Sequence, residues 1–122
     1  MKKILVFGSN LAGRHTKGVA LRAYNEHGAV YGEATGLQGS SYAIPTHDEN
    51  MKPLTLSKIA RYIDTFVRFA RLNPEYTFEV SRIGCVYPGY EDSEIAPMFA
   101  DAPKNCILPA GWRTYAKAQT IS

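Results

Sequence analysis

The sequence predicts an α/β fold, layered helix–sheet–helix, and three observations lead to it. Strand-type and helix-type segments alternate along the chain as strand, helix, strand, helix, strand, helix, strand. Ile4-Leu5-Val6-Phe7 is a wholly apolar run ended by Gly8, the pattern of a strand buried on both faces. Between Thr55 and Leu72, Ile59, Ile63, Phe66, Val67 and Ala70 recur at helical spacing, while Lys58, Arg61, Arg68 and Arg71 fall mostly outside that stripe.

After the first strand, Gly8 to His15 reads as a loop. Thr16 is placed to cap a helix from Lys17 to about His27, with Gly28 as the residue that ends it. Val19, Ala20 and Ala23 give that helix a small-residue face suited to close approach to a sheet. Residues 29–41 read as irregular chain or weak strand, and Tyr42-Ala43-Ile44 as a short strand stopped by Pro45. Thr55 or Ser57 starts the long helix, and Asn73-Pro74 ends it. Tyr76 to Ile83 is a strand in which Phe78 and Val80 alternate with Thr77, Glu79 and Ser81. A loop from Gly84 to Tyr90, a short helix capped near Asp92 that weakens at Pro97, and a last strand Cys106-Ile107-Leu108 follow. Residues 110–122, with Trp112 onward, read as a polar tail.

Length and composition bound the function. A chain of 122 residues suits one domain, residues 1–122, and 45% hydrophobic with 20% charged residues excludes a disordered chain. No apolar run approaches the roughly 20 residues that cross a bilayer. The stretch after Met1-Lys2-Lys3 is too short for a signal-peptide core. Cys85 and Cys106 alone make neither a disulfide framework nor a four-ligand zinc site. A cytoplasmic protein with reduced thiols, no metal, no cofactor and no membrane partner is expected. The net charge of +3 does not announce nucleic acid, but its distribution is uneven. Lys2, Lys3, Arg14, Lys17 and Arg22 meet no acidic residue within positions 1–22, whereas Glu91, Asp92, Glu94 and Asp101 meet no basic one within 83–103. A positive segment beside a glycine-rich loop suggests a small anion such as a phosphate, a solvated basic face being the plain alternative.

Two loops could carry such a ligand. A strand that runs through Gly8, Ser9 and Asn10 into a glycine turn and a helix exposes backbone N–H groups at the positive end of the helix dipole. Gly13 and Gly18 would let the backbone approach a phosphate, with charge from Arg14 or Lys17. Gly8-x4-Gly13 has the spacing of a P-loop but is followed by Arg14-His15 where that loop needs Lys and Ser/Thr, and no dinucleotide G-x-G-x-x-G occurs. Glycines that merely satisfy a left-handed turn are the structural alternative. The second loop, Gly84-Cys85-Val86-Tyr87-Pro88-Gly89-Tyr90, also follows a strand, so both loops could share the carboxyl edge of the sheet. Tyr87 or Tyr90 could stack on a base or ribose, or Tyr90 could pack as a core aromatic. His15, His47 and Asp48 are the acid–base candidates outside helices, His27 suits the negative end of its helix dipole, and Cys106 reads as a core residue.

Together these segments resemble the macro domain, the ADP-ribose-binding fold, in a compact form found among bacteriophage and prophage proteins. Val6-Phe7-Gly8-Ser9-Asn10 resembles the strand end where macro domains place an asparagine near the distal ribose. Gly13-Arg14-His15-Thr16-Lys17-Gly18-Val19-Ala20 resembles the glycine-rich stretch along the ligand, and Gly36 to Pro45 the segment entering the next strand. Ile83-Gly84-Cys85 with Gly89 resembles the loop that wraps the diphosphate. The resemblance implies a three-layer fold with a mixed central sheet, in a host cytoplasm if phage-encoded. It also implies ADP-ribose or a related nucleotide bound by Gly8, Ser9, Asn10, Gly13, Arg14, His15, Lys17, Gly18 and Val19 in the first loop, and by Gly84, Cys85, Val86, Tyr87, Gly89 and Tyr90 in the second. Sequestration of a nucleotide signal or recognition of ADP-ribosylated targets would follow.

The chain departs from the family pattern in places. Arg14-His15 interrupts the usual glycine triplet, Val86-Tyr87 replaces Gly-Leu, and Pro88 stands where a deglycohydrolase branch has its catalytic aspartate. No acidic residue before Glu26 matches the one that reads adenine. An enzyme removing ADP-ribose from protein or nucleobase is a second reading, with Asn10 orienting the ribose and His15 or Asp48 as acid–base groups. A third is a Rossmann-like enzyme processing nucleoside monophosphates, for which Glu33 and Glu49 are the loop glutamates in the first half. A tyrosine-rich partner-binding surface is a fourth, given eight tyrosines. The oligomeric state is left open.

Overall fold

The computed structural model describes residues 2–85 and 89–114. Its central strand is β1, Lys2–Asn10, in which Leu5 and Phe7 are buried on one face and Ile4 and Val6 on the other. That two-sided burial is why the run Ile4–Phe7 is apolar without alternation. The strand continues past the expected stop at Gly8, because Gly8, Ser9 and Asn10 remain paired with the neighbouring strand.

The sheet has five strands in the order β2 (Gly36–Gln38), β3 (Ser41–His47), β1, β4 (Tyr76–Val80), β5 (Cys106–Ile107). All neighbours are parallel except β2 with β3, so the sheet is mixed. The helices are α1 (Gly18–Glu26), α2 (Leu56–Leu72) and α3 (Asp92–Ile95), the last running into a 3₁₀ turn at Ala96–Phe99. The chain steps from β1 to β3 on one side, then back across β1 to β4 on the other. Right-handed crossovers in opposite directions put α1 and α2 on opposite faces. The larger core accordingly joins Ile4, Val6, Ile44, Phe78 and Val80 to α2, α3 and the 3₁₀ turn, and Phe66 meets Phe78 edge-on at 5.3 Å. All five apolar residues of the α2 stripe are buried, and Thr55 caps the helix by accepting from the Lys58 N–H at 3.3 Å. The α1 face is thin: Leu5, Phe7, Ala23, Ala29 and Ala43 make its core, and Ala23 is the buried residue of α1.

Several elements differ from expectation. Lys17, not Thr16, stands at the α1 N-cap without a side-chain cap bond, because Gly18, at φ 54°, begins the helix one residue later. Residues 36–47 form a hairpin whose two-residue turn is Gly39-Ser40. Gly39, at φ 59°, supplies the left-handed first position. Its backbone packs on the end of α1, with the Ser40 N–H donating to the His27 carbonyl at 2.8 Å. Pro45 does not stop β3. β2 pairs only with Ser41–Ala43, so no strand adjoins Pro45 on the side away from β1, and the missing N–H costs no ladder bond there. β4 ends at Val80 rather than Ile83, where the Ser81 N–H and hydroxyl both donate to the Val6 carbonyl, at 3.0 and 2.7 Å. The short helix is capped by Glu91, one residue before Asp92, in a capping box with Glu94. The last strand stops at Ile107.

Trp112 is not part of a tail. It is buried against Phe99 with ring centroids 5.5 Å apart, and its indole N–H donates to Asp92 at 2.9 Å. The remainder of the expected tail, residues 115–122, lies outside the described residues. Among the described residues, no helix is long and apolar enough to cross a membrane.

Candidate functional site

The strand order fixes where a ligand would sit. β3 and β4 flank β1, and the chain reverses its winding direction there, so the switch point of the parallel strands lies at the carboxyl ends of β1 and β4. The strands also part at this place. Pairing of β1 with β4 ends at Val6 opposite Val80, while β1 stays paired with β3 as far as Asn10 opposite His47. Residues 11–17 and 81–85 leave from this edge, as the sequence suggests for the two loops.

The first loop is built by side chains that bond inward. Asn10 closes it in both directions: its carboxamide oxygen accepts from the Arg14 N–H and its NH2 donates to the Arg14 carbonyl, each at 3.0 Å. The Ser9 hydroxyl donates to the Ala34 carbonyl at 2.6 Å, and His15 Nε2 lies 3.1 Å from the Glu33 carbonyl. Gln38 grips the same segment, donating to the Glu33 carbonyl at 2.7 Å and accepting from the Val30 N–H at 2.9 Å. His15 is sealed, 1% exposed, with its ring edge-on to Phe7. Gly13 is buried too: it brings the loop onto the backbone of Gly32 and Glu33, and its carbonyl accepts from the Gly32 N–H at 2.9 Å. Ser9, Gly13 and His15 therefore hold residues 32–34 against the sheet, while Asn10 closes the loop on itself through Arg14. What this stretch leaves in solvent is Arg14, Thr16, Lys17, Gly18 and Val19, and neither cation has an ion pair among the described residues. Space around Gly18 is open, with no atom within 4 Å of where a Cβ would stand, whereas Gly8 lies within the strand beside Thr46.

The second loop turns on Gly84, at φ 78°, whose carbonyl accepts from the Gly89 and Tyr90 N–H groups. A Cβ on Gly84 would press on Ile95 at 3.2 Å, so this glycine is a packing residue, while Gly89 is exposed. Tyr90 takes the core alternative: half-buried, its hydroxyl donates to the Leu54 carbonyl at 2.6 Å. Burial, reinforced by the Asp92 carboxylate, pushes the Cys85 thiol up to about 11, so it stays protonated and unreactive at neutral pH. Asp92 gathers this end of the molecule, accepting from Arg82 at 2.9 and 3.0 Å and from Trp112. The predicted contacts at Val86 and Tyr87 lie outside the described residues.

A concavity of about 360 Å³ opens against α2 where the first loop begins, lined by Leu11, Leu54, Lys58, Arg61, Tyr62 and Thr65. Leu11 is the first residue after β1, its N–H bonded to the His47 carbonyl at 3.0 Å, and Leu54 is the residue that Tyr90 holds. The sequence places Lys58 and Arg61 mostly outside the apolar stripe of α2 and assigns them no role. The available signal was their i, i+3 spacing without an intervening acid.

No protein-family model, curated protein or solved structure matches this chain. The site is read from its own geometry.

The remaining acid–base candidates lie at the end of β3, His47 as its last residue and Asp48 just after it. The Asp48 carboxylate accepts from the Asn50 and Lys52 N–H groups at 2.8 and 2.9 Å. These bonds, that from Lys52 foremost, hold its pKa below the usual carboxylate range, so it carries no proton to donate at neutral pH. His47 is buried with Nδ1 3.0 Å from the Thr46 hydroxyl, and burial lowers its pKa despite the opposing charge of Asp48. A histidine whose folded pKa lies below its unfolded value contributes its full stability above the unfolded pKa. It loses that stability as pH falls toward the folded pKa, because the unfolded chain takes the proton first. Urea unfolding should therefore show stability falling below about pH 6.5, by up to about 1.4 kcal/mol per pH unit, and His47→Gln should flatten the slope. Parallel wild-type and variant curves from pH 7.5 to 5.5 would contradict this assignment. Among the described residues, no three His, Cys, Asp or Glu side chains gather as a metal site.

Proposed function

We propose that this protein binds a nucleotide of the ADP-ribose class at the carboxyl edge of β1 and β4. The observation that carries the reading is the parting of these strands at the switch point, flanked by exposed Arg14 and Lys17 that no carboxylate of the described residues neutralises. The open backbone at Gly18 and Gly89 supports it, since both glycines leave room for close approach. The diphosphate is what ADP-ribose shares with related nucleotides, and it is the part this edge suits. Calorimetry with ADP-ribose, NAD, cyclic ADP-ribose isomers and mononucleotides tests the reading. Binding should weaken about tenfold in Arg14→Gln/Lys17→Gln, the loss of roughly one charge-assisted contact. Absence of heat with every ligand at millimolar concentration overturns it.

The hydrolase reading that relied on Asn10, His15 and Asp48 finds them engaged with backbone or sealed from solvent. One observation favours a different enzyme. Glu33 is exposed, and its backbone packs against Gly13 of the first loop, its nitrogen 2.7 Å from where a Gly13 Cβ would stand. A nucleoside monophosphate-processing enzyme would use a glutamate near its glycine loop, and Glu33 is the residue so placed in the chain. Product formed from a nucleoside monophosphate, and abolished in Glu33→Gln, would establish it over simple binding.

A further inference from the structure

We infer that the concavity against α2 takes one phosphorylated nucleoside, its ring system on the apolar wall and its phosphate between Lys58 and Arg61. The inference rests on the nucleotide reading above and gives that reading a subsite on a helix to which the sequence assigned no role.

Charge is the first reason. Lys58 and Arg61 lie three residues apart on α2, are exposed, and make no side-chain hydrogen bond or ion pair among the described residues. Further along the same helix Arg68 is paired with Asp64 at 2.9 Å, and Arg71 donates to the Asp101 carbonyl at 2.7 Å. Like charges one turn apart disfavour the bare helix, and a dianionic phosphate between them reverses that term. Lys and Arg also suit a phosphate differently, one as a compact charge and the other as a planar fork.

The opposite wall is the second reason. Leu11 and Leu54 are apolar, and Tyr62 is half-buried beside them. A bare inorganic anion would leave that wall facing water, whereas a base or ribose covers it. The wall is also fixed in place, Leu11 by its bond to His47 at the end of β3 and Leu54 by its bond to Tyr90 of the second loop. A ligand here therefore meets residues that the end of β3 and the second loop position together.

Size is the third. About 360 Å³ lies near the bottom of the range of roughly 300–1,000 Å³ for small-molecule sites, suited to one nucleoside phosphate and too small for a whole dinucleotide. An ADP-ribose-class ligand would seat one half here and leave its remainder on the parted ends of β1 and β4.

The test is a titration of the 15N-labelled full chain with adenosine 5′-monophosphate, ADP-ribose and inorganic phosphate, each added alone. Saturable movement of the Leu11, Leu54 and Lys58–Thr65 amides with the monophosphate is expected. Lys58→Gln/Arg61→Gln should weaken that binding about tenfold or more without lowering the unfolding midpoint, because both side chains are exposed and their mutual repulsion is removed. Movement confined to Gly18 and Gly89–Glu91 overturns the subsite and leaves nucleotide binding at the carboxyl edge standing. Wild-type affinity in the double variant has the same consequence. Phosphate binding as tightly as the monophosphate removes the role given to Leu11, Leu54 and Tyr62. No movement with any of the three overturns both readings.

Discussion

Gly13→Ala will destabilise this protein by on the order of 3–5 kcal/mol, a large share of the ~5–15 kcal/mol that holds a small domain folded. Two effects combine. At φ 69° the backbone is in the left-handed region, which costs an alanine roughly 1–2 kcal/mol by itself. The new methyl group would also land on the Gly32 carbonyl carbon, 2.7 Å from the Glu33 nitrogen and 2.7 Å from the Gly32 Cα. These are backbone atoms fixed by the bonds from His15 and Gln38 to the Glu33 carbonyl, so the clash must displace the whole 28–35 segment. Gly18→Ala is the control. Its φ of 54° carries the same left-handed cost, but nothing lies within 4 Å, so a loss of about 1–2 kcal/mol is expected. Urea midpoints of the two variants separate the contributions. Equal losses at the two positions would mean that the loop does not press on residues 32 and 33.

Trp112→Ala is expected to cost about 3–5 kcal/mol, the usual penalty for emptying a large buried aromatic site. Trp112 is 1% exposed and stacks on Phe99, which itself packs against Phe66 on α2. Its loss therefore opens the core under α3 and also removes a hydrogen bond from Asp92. The melting temperature should fall by on the order of 10–20 °C. Trp112→Phe should fall less, since a ring still faces Phe99 and Arg82 still donates to both Asp92 oxygens. Arg113 adds to this anchorage by donating to the Ala102, Pro103 and Cys106 carbonyls at 2.7–2.8 Å. As the sole tryptophan, Trp112 reports the transition directly through its fluorescence. A variant lacking residues 110–122 that melts with the wild type would refute a structural role for this segment.

These two residues show where reading the chain alone stops. Gly13 and Gly18 look alike in sequence, two glycines in one loop, and both were expected to admit a ligand. Only the approach of residues 32 and 33, some twenty positions away, makes one a packing contact and leaves the other open. Trp112 sits in a stretch with little periodicity, so nothing local distinguishes a buried indole from an exposed one. Its partners Phe99 and Asp92 lie at separations no pattern rule spans. The hairpin at Gly39-Ser40 carried a local signal, a glycine-first two-residue turn between Leu37 and Tyr42, and was legible in principle.

The candidate site divides in the same way. That two loops would leave one edge of the sheet followed from strands preceding both, which is a statement about chain order. Which of their side chains face a ligand did not follow. Ser9, Asn10 and His15 are polar residues at a strand end, a pattern shared by ligand-binding and loop-fastening residues. The choice is made by whichever backbone group lies opposite, here Ala34, Arg14 and Glu33.

By itself, then, the sequence determined the order and type of the main elements, the two-faced burial of Ile4–Phe7 and the α2 stripe. Each is set by spacing between near neighbours, and hydrophobic burial acts on that spacing wherever the element lies. Tertiary structure alone decided the order β2-β3-β1-β4-β5, the parting of β1 from β4, and the seating of Trp112. It also decided the meeting of Leu11 and Leu54 with Lys58, Arg61 and Tyr62. Those outcomes depend on contacts between distant segments, whose polar groups each bond to whatever partner the assembled chain brings within reach.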